Sequence, residues 1–135
     1  MTVVVDTNVI AYYLLGTEPF QEETSVFWRG VEHAVAPSSW QAELVNVVWL
    51  ACRHGALDAV EAPAKLQLAA RLGVESVASD TLWHGALARA IANDQPAYDT
   101  LFVELAVRQR TALATFDQAL LLKFPEVARR PGDVT

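Results

Sequence analysis

Residues 3–16 read VVVDTNVIAYYLLG, and the order of residue types in that stretch decides the fold. Val3 to Val5 is a short apolar run of the kind that forms a strand buried on both faces. A carboxylate, Asp6, ends it. Asn8 to Leu15 then has helical character and stops at Gly16.

Outward from there the alternation continues. Pro19 to Arg29 reads as a second helix, with Glu22 and Glu23 in its first half, where acids suit the helix dipole. Ala34 to Ala36 is a second strand closed by Pro37. Ser38 opens a strong helix with Gln41 three residues on, as in a capping box, and it runs to about Arg53 before Gly55. Leu57 to Leu72 carries another helix, with Pro63 near its start and Gly73 as its C-cap. Val74 to Val77 is a third strand, and Asp80 caps a helix reaching about Ala92. After a turn at Asn93 to Pro96, Tyr98 to Gln109 is helical and Thr111 to Ala114 is a fourth strand. Phe116 to Lys123 is a short helix, and Val127 to Arg129 supplies a final edge strand.

Short apolar strands alternating with helices imply an α/β fold, a three-layer α/β/α sandwich around a parallel sheet of four or five strands. With 135 residues the chain fits one domain. Sheets of this kind bind ligands beyond the carboxyl ends of their strands, near a switch in strand order. Residues that directly follow strands are therefore the first candidates for chemistry.

Composition limits that chemistry. The chain is 53% hydrophobic and 19% charged, too apolar for disorder and well supplied for a core. A single cysteine, Cys52, excludes an internal disulfide framework and suits a reducing compartment; it reads as a small buried apolar residue. The histidines, His33, His54 and His84, are not at zinc-ligand spacing. No segment reaches the roughly 18 uncharged apolar residues needed to span a bilayer. The strand-like run MTVVVD at the start has no basic leader, so a cytoplasmic location is expected. A net charge of -6 opposes nucleic-acid binding unless the carboxylates gather at a cation, which inverts the local charge.

Four carboxylates stand out. Asp6 directly follows a strand, and Asp117 follows the Thr111 to Ala114 strand by three residues. Either alone is equally explained as a helix cap. Glu43 is more informative. It lies on QAELVNVVWLAC, a helix apolar nearly all round, and no lysine or arginine stands at i±3 or i±4 to pair with it. A carboxylate on a buried helix is costly unless paired or bound to metal. Asp99 sits in the first turn of YDTLFVELA, where dipole complementarity is an alternative; Glu104, on another face of that helix, is a lesser candidate. Carboxylates converging without basic partners repel strongly, and one or two hard divalent cations, magnesium or manganese, resolve the repulsion.

At these residues the chain resembles the PIN-domain family, and within it the VapC-type toxins of toxin–antitoxin pairs. The resemblance rests on VVVDTNVIAYYLL, PSSWQAELVNVVWLACRHG and PAYDTLFVELAVRQRTALATFDQALL, which occur in the family's order. It implies that Asp6, Glu43, Asp99 and Asp117 are the metal-binding, catalytic quartet. Thr7 and Asn8 would support the site beside the first aspartate, and Thr115 would orient an acidic neighbour. The implied activity is Mg2+-dependent endonucleolytic cleavage of RNA by an activated water, leaving a 5′-phosphate and a 3′-hydroxyl. Implied partners are RNA, a second copy of the chain in a homodimer, and a small antitoxin lying along the first helices.

Arg53, Arg108 and Arg110 are candidate contacts to RNA phosphates, with Lys123 a further one; complementing helix carboxyl termini is the competing explanation. Arg129 and Arg130 read as a solvated tail. Tyr12, Tyr13, Phe20, Phe27 and Trp28 exceed what so small a core needs and suggest an interface. Trp40, Trp49 and Trp83 read as core or dimer residues. Two other functions compete: a non-catalytic RNA-binding or scaffold module, and an aspartyl phosphatase. The phosphatase needs an aspartate two residues after Asp6, where Asn8 stands, and a lysine near the later acids, which is missing.

Overall fold

A computed structural model of the chain describes residues 2–134. Met1, in the run expected to form the first strand, lies outside them. Strand β1 (Thr2–Val5) is the centre of a five-stranded parallel sheet. It is flanked by β2 (His33–Pro37) and β4 (Leu113–Ala114), with β3 (Glu75–Val77) and β5 (Ala128–Arg129) at the edges. Val3 lies opposite Ala34 and Val4 opposite Leu113. Val3, Val4 and Val5 have no exposed surface, as a central strand covered on both faces requires.

The chain steps from β1 to β2 to β3, then returns across the sheet to β4 on the far side of β1. The strand order therefore reverses between β1 and β4, and the crevice there opens beyond Val5 and Ala114. The helices divide accordingly. Helix α1 (Thr7–Leu15) packs on α2 (Gln21–Gly30), α3 (Trp40–Arg53) and α4 (Ala62–Arg71). Helix α5 (Trp83–Asn93) packs on α6 (Ala97–Gln109), which lies against β1, β2 and β4; α7 (Gln118–Lys123) packs on β5. Parallel crossovers are right-handed, so the reversal places α5 and α6 on the face opposite α1 to α4. This is the expected α/β/α sandwich, with five strands.

Helix starts differ from expectation where polar side chains find other partners. Ser38 caps nothing: its hydroxyl bonds to the Ser79 hydroxyl at 3.1 Å, and α3 begins at Trp40. The Asp58 carboxylate accepts from the Val60 amide at 2.8 Å, closing a turn that delays α4 to Ala62. Asp80 sits in a short 3-10 turn, Ser79–Thr81, and α5 starts after it, at Trp83.

The aromatic excess is largely internal. Tyr12 stacks on Phe20 with centroids 4.6 Å apart, Phe20 meets Phe116 at 4.7 Å, and Tyr13 meets Trp28 at 6.2 Å. Phe27 and Trp40 are buried, whereas Trp49 and Trp83 are exposed. Cys52 is a free thiol, half-buried rather than buried. Arg130 is no solvated tail. Its guanidinium lies 4.8 Å above the Phe116 ring and pairs with Glu23 at 2.5 Å. Glu23 also accepts from the Gly132 amide, which ties the C-terminal segment to α2. Among the described residues no helix is long and apolar enough to cross a membrane.

Candidate active site

The crevice at the strand-order reversal is a cleft of about 250 Å³, and Asp6, Glu43, Asp99 and Asp117 all line it. They reach it from four separate segments, at the end of β1 and the starts of α3, α6 and α7. Among the described residues no lysine, arginine or histidine lines the cleft; the others that do are Thr7, Asn8, Ala11, Tyr12 and Val47.

Asp6 is the most constrained of the four. Its extended backbone (φ -74°, ψ 153°) ends the strand, and its N–H donates to the Ala114 carbonyl at 2.9 Å, joining β1 to β4. Its Oδ1 accepts from the Thr7 amide at 2.8 Å, so the capping explanation holds. Its Oδ2 accepts from the Thr115 hydroxyl at 2.7 Å, with the Asn8 amide 3.5 Å away. Burial pushes the Asp6 carboxyl up from its ordinary 3.8 to about 7; the Thr115 and Thr7 bonds oppose this, and the charges of Asp99 and Glu43 add to it.

Thr115 serves two acids at once, since its hydroxyl oxygen also accepts from the Asp117 amide at 3.0 Å. Asp117 Oδ1 in turn accepts from the Ala119 and Leu120 amides and caps α7. Asp6 and Asp117 are therefore both helix caps and cleft residues; a cap uses one carboxylate oxygen and leaves the other to face elsewhere.

Thr7 donates its hydroxyl to Glu43 Oε1 at 3.0 Å, linking the start of α1 to that of α3. Asn8 Oδ1 accepts from the Phe116 amide at 3.3 Å, linking α1 to the β4–α7 connection. Burial raises Glu43, opposed by the Thr7 bond and aided by the Asp99 charge. Asp99 is also raised by burial, opposed by a bond from Gln95 and aided by the Asp117 charge. Gln95, buried and donating to Asp99 Oδ2 at 2.9 Å, was not found from the sequence. A glutamine before a proline reads as an ordinary turn residue, and the one available signal was its i−4 spacing from Asp99.

The donor set suits a hard cation: all four side chains offer oxygen, no basic side chain lines the cleft among the described residues, and Asp6, Glu43 and Asp99 are each raised in part by acidic neighbours. Among the described residues no three acidic, histidine or cysteine side chains are drawn to the spacing of direct ligands around one ion.

The structure does not bring the arginines to the cleft. Arg53 and Arg108 lie in the last turns of α3 and α6, helices whose first turns hold Glu43 and Asp99. Arg110 ends α6 in a left-handed conformation, φ 53°. At about 1.5 Å rise per residue, these termini are some 15 Å from the acids. Arg53 lies over the Trp49 ring. Arg108 Nε donates to Glu104 at 2.7 Å, and Nη1 to the Thr81 carbonyl. Glu104 is buried away from the cleft between Arg108 and Arg89, the latter at 2.9 Å. Burial alone raises its carboxyl, but the two guanidiniums more than offset this and hold it below the usual range. Lys123 donates to the Asp94 carbonyl at 2.8 Å.

No curated protein matches the sequence. Among solved structures, the chain is similar to one in the crystal structure of VapBC2 from Rickettsia felis bound to a DNA fragment from their promoter. The TM-score is 0.66 with 12% identity, over 96% of this chain and 98% of that one. At that identity the likeness shows the fold. The sequence itself matches the PIN domain over residues 3–129, nearly its whole length and all four cleft acids, and the chain belongs to the PIN domain family.

Proposed function

We propose that this chain is a single-domain, magnesium-dependent endoribonuclease of the VapC toxin type. It hydrolyses RNA phosphodiester bonds with Asp6, Glu43, Asp99 and Asp117 as its catalytic, metal-holding residues. The observation that carries this is the meeting of four carboxylates from four segments in one cleft that, among the described residues, is lined by no basic side chain. Left without a cation that arrangement opposes its own folding.

When bound, a divalent ion supplies Lewis acidity and a more acidic water at this position. The protein's own groups do the rest. Asp6 is held by Thr7 and Thr115, so its carboxylate geometry is fixed before substrate arrives. Glu43 is fixed by Thr7 and Asp99 by Gln95. A cleft carboxylate with an oxygen left free of the ion is placed to take a proton from the attacking water. Attack of that water on phosphorus forms the new P–O bond as the bond to the 3′ oxygen breaks, and the departing 3′ oxygen takes up a proton from solvent. The products are a 5′-phosphate and a 3′-hydroxyl. A homodimer, a small antitoxin as inhibitor and a cytoplasmic location complete the proposal; the similarity to the VapBC2 structure supports the antitoxin.

RNA cleavage tests this with wild-type protein and Asp6→Asn, each with magnesium and with chelator. Only wild type with magnesium should cut. Cleavage in chelator, or full activity of the variant, overturns the mechanism.

A further inference from the structure

Gln95 lies in the turn between α5 and α6, outside the quartet, and is 8% exposed. Burying an amide is costly unless it is bonded, and here its Nε2 donates to Asp99 Oδ2 at 2.9 Å. The turn is itself anchored. The Gln95 amide donates to the Ala90 carbonyl at 3.2 Å, closing the end of α5. Asp94 adopts a left-handed conformation, φ 50°, and its carbonyl receives the Lys123 ammonium at 2.8 Å. Lys123 ends α7, the helix that Asp117 caps. One connection thus links the segment that holds Asp99 to the helix that starts at Asp117.

The donor's chemistry is informative. An arginine or lysine at this place would fix Asp99 equally well but cancel its charge. A neutral amide fixes one oxygen, Oδ2, and leaves the full negative charge and Oδ1 for a cation. We infer that Gln95 is a positioning residue for the metal site, orienting Asp99 without neutralising it. This rests on the metal-dependent reading above. Partners of this kind set ligand orientation, and losing one typically weakens metal binding about 10- to 100-fold.

The test is Mn2+ titration followed by electron paramagnetic resonance, on wild type, Gln95→Met, Gln95→Lys, Asp99→Asn and the Gln95→Met/Asp99→Asn double variant. Thermal unfolding in chelator accompanies each titration. Gln95→Met, similar in size but without a donor, should bind Mn2+ roughly 10-fold more weakly. Gln95→Lys, which restores a donor but adds charge, should not recover the loss. In the Asp99→Asn background Gln95→Met should have no further effect, because the two residues act as one unit. Equal weakening in both backgrounds would show a merely structural role and overturn the inference. So would full Mn2+ affinity in Gln95→Met. A wild-type protein that binds no Mn2+ sinks the metal-dependent reading together with this one, whereas wild-type binding with an unaffected Gln95→Met sinks this one alone.

Discussion

Replacing Asp6 by asparagine should make the metal-free protein more stable, although it removes the best-bonded member of the site. Burial, opposed by Thr115 and Thr7 and aided by Asp99 and Glu43, lifts the Asp6 carboxyl from 3.8 to about 7. The folded state therefore holds this proton more tightly than the unfolded chain does. Its stabilising effect is complete below pH 3.8 and is lost as pH rises through about 7. The difference between 3.8 and 7 is about three units, and at 1.36 kcal/mol each this means about 4 kcal/mol against the ionised, metal-free fold at pH 8. Asparagine keeps the acceptor for the Thr7 amide. It turns the Thr115 bond around, so that the hydroxyl accepts instead of donating, at a cost of about 1 kcal/mol.

The net gain in chelator at pH 8 is about 3 kcal/mol, some 10 °C in Tm for a domain of this size. At pH 5 wild-type Asp6 is largely protonated when folded, and the advantage should shrink by about 2–3 kcal/mol. Urea unfolding of both proteins in chelator at pH 5, 6, 7 and 8 measures this directly. A gap that does not change with pH, or an Asp6→Asn protein less stable than wild type at pH 8, would falsify the picture of Asp6 as a carboxylate destabilised by its cleft.

Three further outcomes follow from the same geometry. Magnesium should raise the wild-type Tm more at pH 8 than at pH 6, because binding at the lower pH must first displace the Asp6 proton; calorimetry in buffers of different ionisation enthalpy should detect proton release near pH 7. Thr115→Val removes the donor to Asp6 and the acceptor for the Asp117 amide, and should lower RNA cleavage about 10- to 100-fold, while Thr115→Ser, which keeps the hydroxyl, should retain most of it. Gly85→Ala gains about 1 kcal/mol in helix propensity. The new Cβ, however, would stand 2.3 Å from the Glu104 carboxyl carbon, and Glu104 is pinned by Arg89 and Arg108. Displacing it from both partners costs about 3 kcal/mol or more, so a net loss of roughly 2 kcal/mol in urea unfolding is expected, and a stabilised variant would contradict it.

The sequence revealed what depends on local pattern. Val3 to Val5 followed by Asp6 located the central strand and its carboxyl end because a buried parallel strand needs an unbroken apolar run. Glu43 stood out because nothing within one helical turn could neutralise it. Asp117 looked equally like a cap and like a cleft residue, and it is both. Partners set by the fold stayed hidden. Arg108 pairs with Glu104 at i−4 on its own helix, a spacing open to reading in the sequence; what stayed hidden is that Arg89 on α5 shares Glu104, which can lie there because Gly85 makes room for it. Arg130 looked like a tail because Phe116 and Glu23 are more than ten residues away in sequence. The delayed start of α3 traces to Ser38, which bonds outside the helix it was expected to open, and that of α4 to Asp58, whose carboxylate closes a turn within the stretch expected to be helical.

The claim on which the rest depends is that a hard cation sits among these four acids. A crystal soaked in Mn2+ and measured for anomalous scattering at the manganese edge tests it. The expected result is a peak in the cleft bounded by Asp6, Glu43, Asp99 and Asp117. An empty cleft at saturating Mn2+, or manganese bound only elsewhere on the protein, would contradict it.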